Sequence, residues 1–273
     1  DLASALNWIS SIPKAATSDP AITDRFAYLA AIAGGPHGSM DEISRFTDEN
    51  AFRDIDLSDT FSDFATYRIR VAITEVTVAQ FQSFLKSNPE SDDTSIGNQG
   101  PAFPVSNVNW HAAAAYCNWL SQQAGIAPEQ WCYEPIDTAD SMKRFRRPAD
   151  GEIRTGFRLL SRGERVALEG HVTMRTDNVD LCKAQGWVGD NSRQRLHPVA
   201  TRLSNRFGLF DMQGNVKEWA DNDEDDTGVA LTLGGGSMTW LSDYTTSVPH
   251  LSLPHTQCNR WVGFRVAQTR EIE

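Results

Sequence analysis

Residues 205–219 read NRFGLFDMQGNVKEW, and this segment constrains the fold more than any other part of the chain. Gly208 and Gly214 allow backbone conformations that other residues resist, so they predict tight turns. Asp211 and Glu218 place two carboxylates around the second glycine. Calcium prefers oxygen ligands of this kind and tolerates irregular loops. The segment therefore predicts either a calcium-binding loop or a buried turn whose carboxylates cap backbone N–H groups.

The same segment resembles the signature of the formylglycine-generating-enzyme (sulfatase-modifying factor) family, which is approximately N-x-x-G-L-x-D-M-x-G-N-V-x-E-W. Further stretches resemble the family in the same order along the chain. They are YRIRVAITEVTVAQF at 67–81, PVSNVNWHAAAAYCNWL at 104–120, GFRL at 156–159, GGGS at 234–237 and GFRV at 263–266. The resemblance covers residues from about 61 to 268 and implies a C-type-lectin-like fold.

Local patterns agree with an α+β fold, in which two helices pack on small twisted sheets connected by long irregular loops. Thr77 has the side chain and position of an N-cap for a helix that continues through Leu85. Asn109 is the corresponding N-cap for a helix over residues 110–123.

The chain divides into two parts. Residues 1–60 form an N-terminal extension or linker, which is predicted to be helical over 19–33 because apolar residues recur there at helical spacing. Residues 61–273 form the lectin-like domain. With 273 residues, 40% of them hydrophobic and eight of them Trp, the chain can bury a substantial core.

Composition excludes two classes of function. A net charge of −11 argues against a general nucleic-acid binder, which needs clustered Lys and Arg for phosphate contacts. The basic cluster at 143–147 and the acidic run at 221–226 are interpreted as solvated loops. No apolar stretch approaches the roughly 20 residues that a membrane span needs.

The cysteines favour a reducing compartment. Cys117, Cys132, Cys182 and Cys258 are isolated from one another, without the spacing of a zinc site. We therefore expect a cytoplasmic protein, while a single disulfide among the four remains an alternative.

The resemblance also states what a catalytic member would need. Family members that oxidise a sulfatase cysteine bind copper through two cysteines shortly after the G-G-S element. Here Ser237 is followed by no cysteine until Cys258. Residues 158–165, RLLSRGER, also depart from the family's R-L-P-T-E-x-E-W. We therefore expect no catalytic residues and no copper.

Iron is not expected either. A second branch of the family uses non-haem iron held by histidines from a separate helical domain. No H-x-x-x-H pair occurs in this chain. A mixed metal site formed by His250, His255 and Cys258 remains an alternative. The resemblance implies calcium as the bound cation. It would be held by the side chains of Asp211 and Glu218 and by the carbonyls of Gly214 and Val216.

Residues 239–262 have the composition of a recognition surface. Rigid aromatic residues alternate there with small polar ones, and Lys and Glu do not occur. An ordinary long loop is the alternative. The predicted ligand-binding residues are Leu241, Ser242, Asp243, Tyr244, Thr245, Thr246, His250, Leu251, Ser252, Leu253, His255, Thr256 and Asn259.

The resemblance favours the recognition surface. Some lectin-fold relatives of the formylglycine enzymes are variable proteins of diversity-generating retroelements, in which adenine-directed mutagenesis changes Asn codons just before a G-F-R-like ending. Every residue from 241 to 259 except Gln257 belongs to a type that an AAC codon can reach. Trp240 and Trp261 would then be fixed framework positions.

The leading hypothesis is therefore a non-catalytic variable protein that binds a ligand. We expect a protein ligand rather than a sugar, because the sugar-binding Glu-Pro-Asn and Gln-Pro-Asp triplets of lectins are missing. The alternatives are a metal-dependent oxidase of the same family and a non-catalytic sensor module fused to, or associated with, a signalling domain such as a kinase or protease.

Overall fold

The computed structural model describes residues 51–61, 65–89, 99–136, 144–151, 153–169, 179–221, 228–234, 236–239 and 250–273. These ranges contain small sheets, a few helices and long irregular segments, which confirms the α+β class. The helix predicted over 19–33 lies outside the described residues.

The first sheet is antiparallel, with the C-terminal strand in its interior. In spatial order its strands are β1 (Phe52–Asp56), β2 (Tyr67–Ala72), β10 (Val266–Ile272) and β5 (Phe157–Leu159). Phe52 pairs with Ala72 and Asp56 pairs with Arg68, so β1 is a full member of the sheet. Residues 52–56, which precede the predicted boundary at residue 61, therefore belong to the same sheet as β2 and β10.

A second four-stranded sheet carries the signature segment. In spatial order its strands are β8 (His250–Pro254), β7 (Val229–Leu233), β6 (Lys217–Trp219) and β9 (Val262–Gly263). The β6 and β9 strands are parallel, and the other pairs are antiparallel. Two short strands, β3 (Glu134–Ile136) and β4 (Arg144–Arg146), pair separately.

The two predicted helices are confirmed. The helices of the described ranges are α1 (Val78–Ser87), α2 (Trp110–Gln123), α3 (Arg162–Glu169) and α4 (Val179–Gln185), with a 3-10 turn at Pro128–Gln130. Thr77 caps α1: its hydroxyl accepts the Gln80 N–H at 3.3 Å, and the Gln80 side chain accepts the Thr77 N–H at 2.8 Å. Asn109 caps α2 by accepting the Ala112 N–H at 2.8 Å. The sequence predicted neither α3 nor α4.

Helix α2 runs through the core and is buried on almost all sides. An aromatic cluster joins it to α1 and to the chain just before β10: Tyr116 stacks on Phe81 with ring centroids 5.9 Å apart and meets Phe264 edge-on at 5.3 Å. Trp219 connects the second sheet to the same core, since its indole N–H donates to the Val108 carbonyl at 2.9 Å. Both sheets therefore pack on one hydrophobic core.

The four cysteines all lie within the described residues, and none is bonded to another. Burial raises the pKa of the Cys132 and Cys182 thiols to about 11. Within the described ranges we find no helix long and apolar enough to cross a bilayer.

Gly263 provides a test of the packing between β9 and the rest of the domain. A Cβ at this position would overlap the Val105 carbonyl oxygen and press on the Val216 side chain at 3.0 Å. We expect Gly263→Ala to lower the free energy of unfolding by about 1–3 kcal/mol, the usual effect of overpacking. The measurement is urea unfolding followed by circular dichroism.

Gly100→Ala is the matched control. A Cβ there would make only ordinary contact, 3.5 Å from the Phe103 ring. We expect a change within about 0.5 kcal/mol for this exposed position. Equal stability of the two variants would contradict the close approach at Gly263.

Candidate functional site

The signature segment adopts a left-handed backbone at only one of the two glycines that the sequence indicated. Gly208 has a φ of +74°, as predicted, but the next left-handed positions are Asp211 and Asn215, both with a φ of +57°. Gly214 is needed for a different reason: a Cβ on it would overlap the Trp187 carbonyl oxygen. Aspartate and asparagine tolerate the left-handed region better than most residues, which explains their use here.

A buried ion pair holds the end of this segment. The Arg265 Nη2 donates to Oε1 of Glu218 at 2.9 Å, and its Nε lies 3.2 Å from Oε1 and 3.3 Å from Oε2 of the same carboxylate. A second guanidinium approaches from the other side, with Nε of Arg165 3.5 Å from Oε2. Burial opposes ionisation of Glu218, but Arg165 and Arg265 outweigh it and lower the pKa of the carboxyl.

The same arginine connects three parts of the chain. Besides Glu218 in β6, Arg265 donates through Nη1 to the Ala72 carbonyl at the end of β2, at 3.0 Å. Its Nη2 also donates to the Phe210 carbonyl in the signature segment, at 2.7 Å. One guanidinium therefore joins the first sheet, the second sheet and the segment between them.

A second buried acid fixes the backbone of the signature segment. Glu75 Oε1 accepts the Val216 N–H at 3.1 Å, and its Oε2 accepts the Asn215 amide at 3.0 Å. Burial raises the pKa of Glu75 well above its usual value, and the nearby Asp211 and Glu218 raise it further. The nearby Arg265 guanidinium opposes this rise in pKa but does not cancel it.

The predicted calcium ligands are arranged for other contacts. Both carboxylate oxygens of Glu218 face the Arg265 guanidinium, and Oδ2 of Asp211 accepts the Ala200 N–H at 2.7 Å. Among the described residues, no group of three or more His, Cys, Asp or Glu is placed to hold a metal ion. This arrangement does not fit calcium at Asp211, Gly214, Val216 and Glu218, because the cation near Glu218 is a guanidinium. Within the described ranges, His250, His255 and Cys258 are likewise not brought together as a group that could hold a metal ion.

Two further buried ion pairs occur where the sequence predicted loops or a degraded motif. Arg158 binds Glu164 through two contacts of 2.7 and 2.8 Å, and Glu164 also accepts the Ser161 N–H at 2.8 Å. The S-x-x-E spacing of Ser161 and Glu164 is that of a capping box, and this signal could have revealed α3. Arg147 pairs with Asp221 at 3.2 Å with both side chains buried, so these two residues do not belong to solvated loops.

The predicted ligand-binding residues separate into three groups. Those at 241–246 (Leu241, Ser242, Asp243, Tyr244, Thr245 and Thr246) lie outside the described residues. Strand β8 and the turn after it expose the side chains of His250, Leu251, Ser252 and Thr256. We call these four residues the exposed face.

The remaining three residues have structural contacts. Leu253 is only 7% exposed and packs in the core opposite Ala230, so its assignment to the surface was wrong. The half-buried His255 stacks on Trp110 at 4.5 Å. Asn259 uses its side-chain oxygen to accept the Trp261 N–H at 2.9 Å, which forms a tight turn before β9.

Comparison with known proteins places this architecture in a family. The profile of the sulfatase-modifying factor enzyme 1-like domain matches residues 28–270, nearly the whole chain. The chain belongs to this family. The match also begins before residue 61, in agreement with the position of β1 in the sheet.

Two known proteins are similar to this chain, one by sequence and one by structure. Chaperone protein LppX of Paenibacillus barcinonensis is 25% identical over 222 residues, which are 69% of this chain and 73% of that protein. The solved structure of Treponema denticola variable protein 1 aligns with a TM-score of 0.56 and 24% identity, over 75% of this chain and 87% of that one.

Two other solved structures of the family are similar to a comparable degree. CarF aligns with a TM-score of 0.55 and 22% identity, over 75% of this chain and 87% of CarF. PvdO from Pseudomonas aeruginosa aligns with a TM-score of 0.54 and 21% identity, over 76% of this chain and 82% of PvdO. At these identities the likeness establishes the fold, the C-type-lectin-like architecture of the sulfatase-modifying-factor family.

Removing Arg265 tests the role of the ion pair. Arg265→Met leaves the Glu218 carboxylate buried with its main partner missing, and loss of one member of a buried pair costs about 3–5 kcal/mol of stability. Arg265→Met combined with Glu218→Gln should recover part of this loss, because no charge is then left uncompensated. The measurement is the free energy of unfolding in urea.

A surface arginine supplies the control for this experiment. Arg68 pairs with Asp56 at 3.4 Å, and both side chains are more than half exposed. Arg68→Met should change stability by less than about 1 kcal/mol. A similar loss for Arg68→Met and Arg265→Met would show that the buried pair has no special role.

Calcium dependence gives a separate test. We expect the melting temperature to be the same in excess EGTA and in millimolar CaCl2, because Arg265 already neutralises Glu218. Differential scanning calorimetry provides the measurement. A rise in melting temperature with CaCl2, and none with MgCl2, would show instead that the calcium site predicted from the sequence forms.

Proposed function

We propose that this chain is a non-catalytic, ligand-binding variable protein, which displays a mutable surface at about residues 239–262 on a rigid lectin-type scaffold. The ligand we propose is a protein. The observation that carries this proposal is the contrast within β8: His250, Leu251 and Ser252 are exposed, while Leu253 anchors the same strand in the core. The strand thus presents side chains to solvent without depending on them for its position.

The contacts around the exposed face support a preorganised surface. Strand β8 pairs with β7 over five residues, from Leu233 opposite His250 to Val229 opposite Pro254. The His255 N–H donates to the Gly228 carbonyl at 2.8 Å, and its carbonyl accepts the Trp110 N–H at 3.0 Å. A backbone fixed before binding reduces the ordering cost of each contact side chain.

The comparisons are consistent with a binding role. One similar structure is that of a variable protein, and the relative from Paenibacillus carries the name of a chaperone, a class of protein that binds other proteins. The family also contains enzymes, so fold alone does not decide between binding and catalysis. The choice between binding and catalysis therefore depends on the residues at the site.

The thiols of this chain favour binding over the oxidase alternative. Copper(I) is a soft cation that prefers soft ligands such as thiolates. Cys117 and Cys132 are buried, and burial raises the pKa of both thiols, to about 11 for Cys132. Cys258 is half-buried and has no second cysteine bonded to it. If elemental analysis of the purified protein found stoichiometric copper or iron that Cys258→Ser removed, the oxidase alternative would replace our proposal.

Sequencing the 3′ end of the gene across a population of the source organism tests the proposal. We expect substitutions to cluster at codons 241–259, with Trp240, Trp261 and Gly263 unchanged. Within β8, codons 250–252 should vary freely, and codon 253 should keep an apolar residue because Leu253 is in the core. A uniform sequence across the population would contradict the proposal. Attachment of the chain to a signalling domain and a cytoplasmic location remain further parts of the proposal, to be tested on the full-length gene product.

A further inference from the structure

A cleft of about 400 Å³ opens beside the turn that precedes β9. Its volume lies within the range of roughly 300–1,000 Å³ that is typical of ligand pockets. Four segments line it, and the residues are Gln99, Ser106, Asn107, Gln194, Arg195, Leu196, Arg260 and Trp261. We call this the arginine cleft.

The charge of the arginine cleft is opposite to that of the whole protein. The chain has a net charge of −11, but the lining contains two arginines and neither Asp nor Glu. Both Arg195 and Arg260 are exposed, and within the described ranges neither guanidinium forms an ion pair. Arg260 lies over the half-buried Trp261 ring, 4.7 Å from its centre.

The walls of the cleft are fixed by backbone hydrogen bonds. Asn107, with a φ of +62°, donates its N–H to the Asn259 carbonyl at 3.1 Å, which joins the first wall to the turn before β9. Gln194, with a φ of +53°, donates its N–H to the buried Ser192 hydroxyl at 3.1 Å. The cleft is therefore formed before any ligand arrives.

The chemistry of the lining selects an anion next to an apolar group. Guanidinium groups bind carboxylates in a planar, two-pronged geometry, and the amides of Gln99, Asn107 and Gln194 add uncharged donors. The Trp261 ring offers an apolar surface at the same place. Asn259, a residue of the predicted variable surface, precedes the lining residue Arg260, and its carbonyl accepts the N–H of the lining residue Asn107, so the cleft adjoins that surface.

We propose that the arginine cleft binds carboxylates of an acidic segment of the protein ligand, with Arg195 and Arg260 as the two anion-binding groups. This inference deepens the proposed function by giving the chemistry of the ligand. An acidic segment must approach against the net charge of the protein, so the cleft confers specificity as well as attraction.

Binding of short peptides tests the proposal. The probe is a fluorescein-labelled octapeptide of alternating Glu and Gly, compared with the same peptide in which Gln or Lys replaces Glu. Fluorescence anisotropy with the full chain should show binding of the Glu peptide only. The affinity should fall as the salt concentration rises, because salt screens exposed charges.

Single substitutions locate the binding site. We expect Arg195→Glu and Arg260→Glu each to weaken binding of the Glu peptide about tenfold or more, since each removes a charge-assisted contact and adds a repulsive charge. Arg206→Glu is the matched control. Arg206 is also exposed and also lies over an aromatic ring, 4.6 Å from the centre of Phe207, but it does not line the cleft. Its substitution should change the affinity less than about twofold.

Several results would overturn the assignment. One is equal binding of the Glu, Gln and Lys peptides, and another is no binding of the Glu peptide. A third is a loss of affinity for Arg206→Glu as large as for the two cleft variants, which would mean a general charge effect. Stronger competition by inorganic phosphate than by glutarate would point to a phosphate site instead. The peptides report on Arg195 and Arg260 rather than on residues 241–256. This assay can therefore fail while population sequencing supports a variable protein, and it can succeed while sequencing contradicts one.

Discussion

The buried pair between Arg265 and Glu218 is the interaction on which the rest of this structure depends. Arg265 lies where the chain passes from the second sheet to the first, between β9 and β10. From there it binds a carboxylate of one sheet, a carbonyl of the other and a carbonyl of the signature segment. Burial of two charges is costly, and it is tolerated only when hydrogen bonds satisfy both groups. That condition is met here, and it fixes the relative position of the two sheets.

This arrangement separates support from recognition. The ionisable groups that hold the scaffold are buried: Glu75, Arg265 and Glu218 lie in one cluster, and Arg158 and Glu164 lie in another. None of the four side chains of the exposed face belongs to either cluster. A protein that varies its surface needs this separation, since each exchange of a contact residue must leave the backbone unchanged. A single anchor, such as Leu253, limits how far variation can extend along the strand.

Sequence predicted the parts of the fold that depend on neighbouring residues. The caps of α1 and α2 were correct because Thr77 and Asn109 bond within their own first turn. Long-range contacts were not accessible in this way. Strand β1 was missed because its place is set by pairing with β2 and by the packing of Phe52 in the core, and neither is a local pattern. The calcium prediction placed Glu218 beside a cation, but no local pattern indicated that an arginine from the end of the chain would supply the charge.

The measurement that tests the separation of scaffold and surface most directly is the stability of a variant with a rewritten exposed face. His250, Leu251, Ser252 and Thr256 would be replaced together by Asn, and the free energy of unfolding compared with that of Leu253→Ala. We expect the fourfold variant to lie within about 1 kcal/mol of the parent, because surface substitutions rarely matter. Leu253→Ala should lose about 2–5 kcal/mol by opening a cavity in the core. A loss of that size in the fourfold variant would show that the exposed side chains hold the strand in place, and it would contradict a scaffold built for variation.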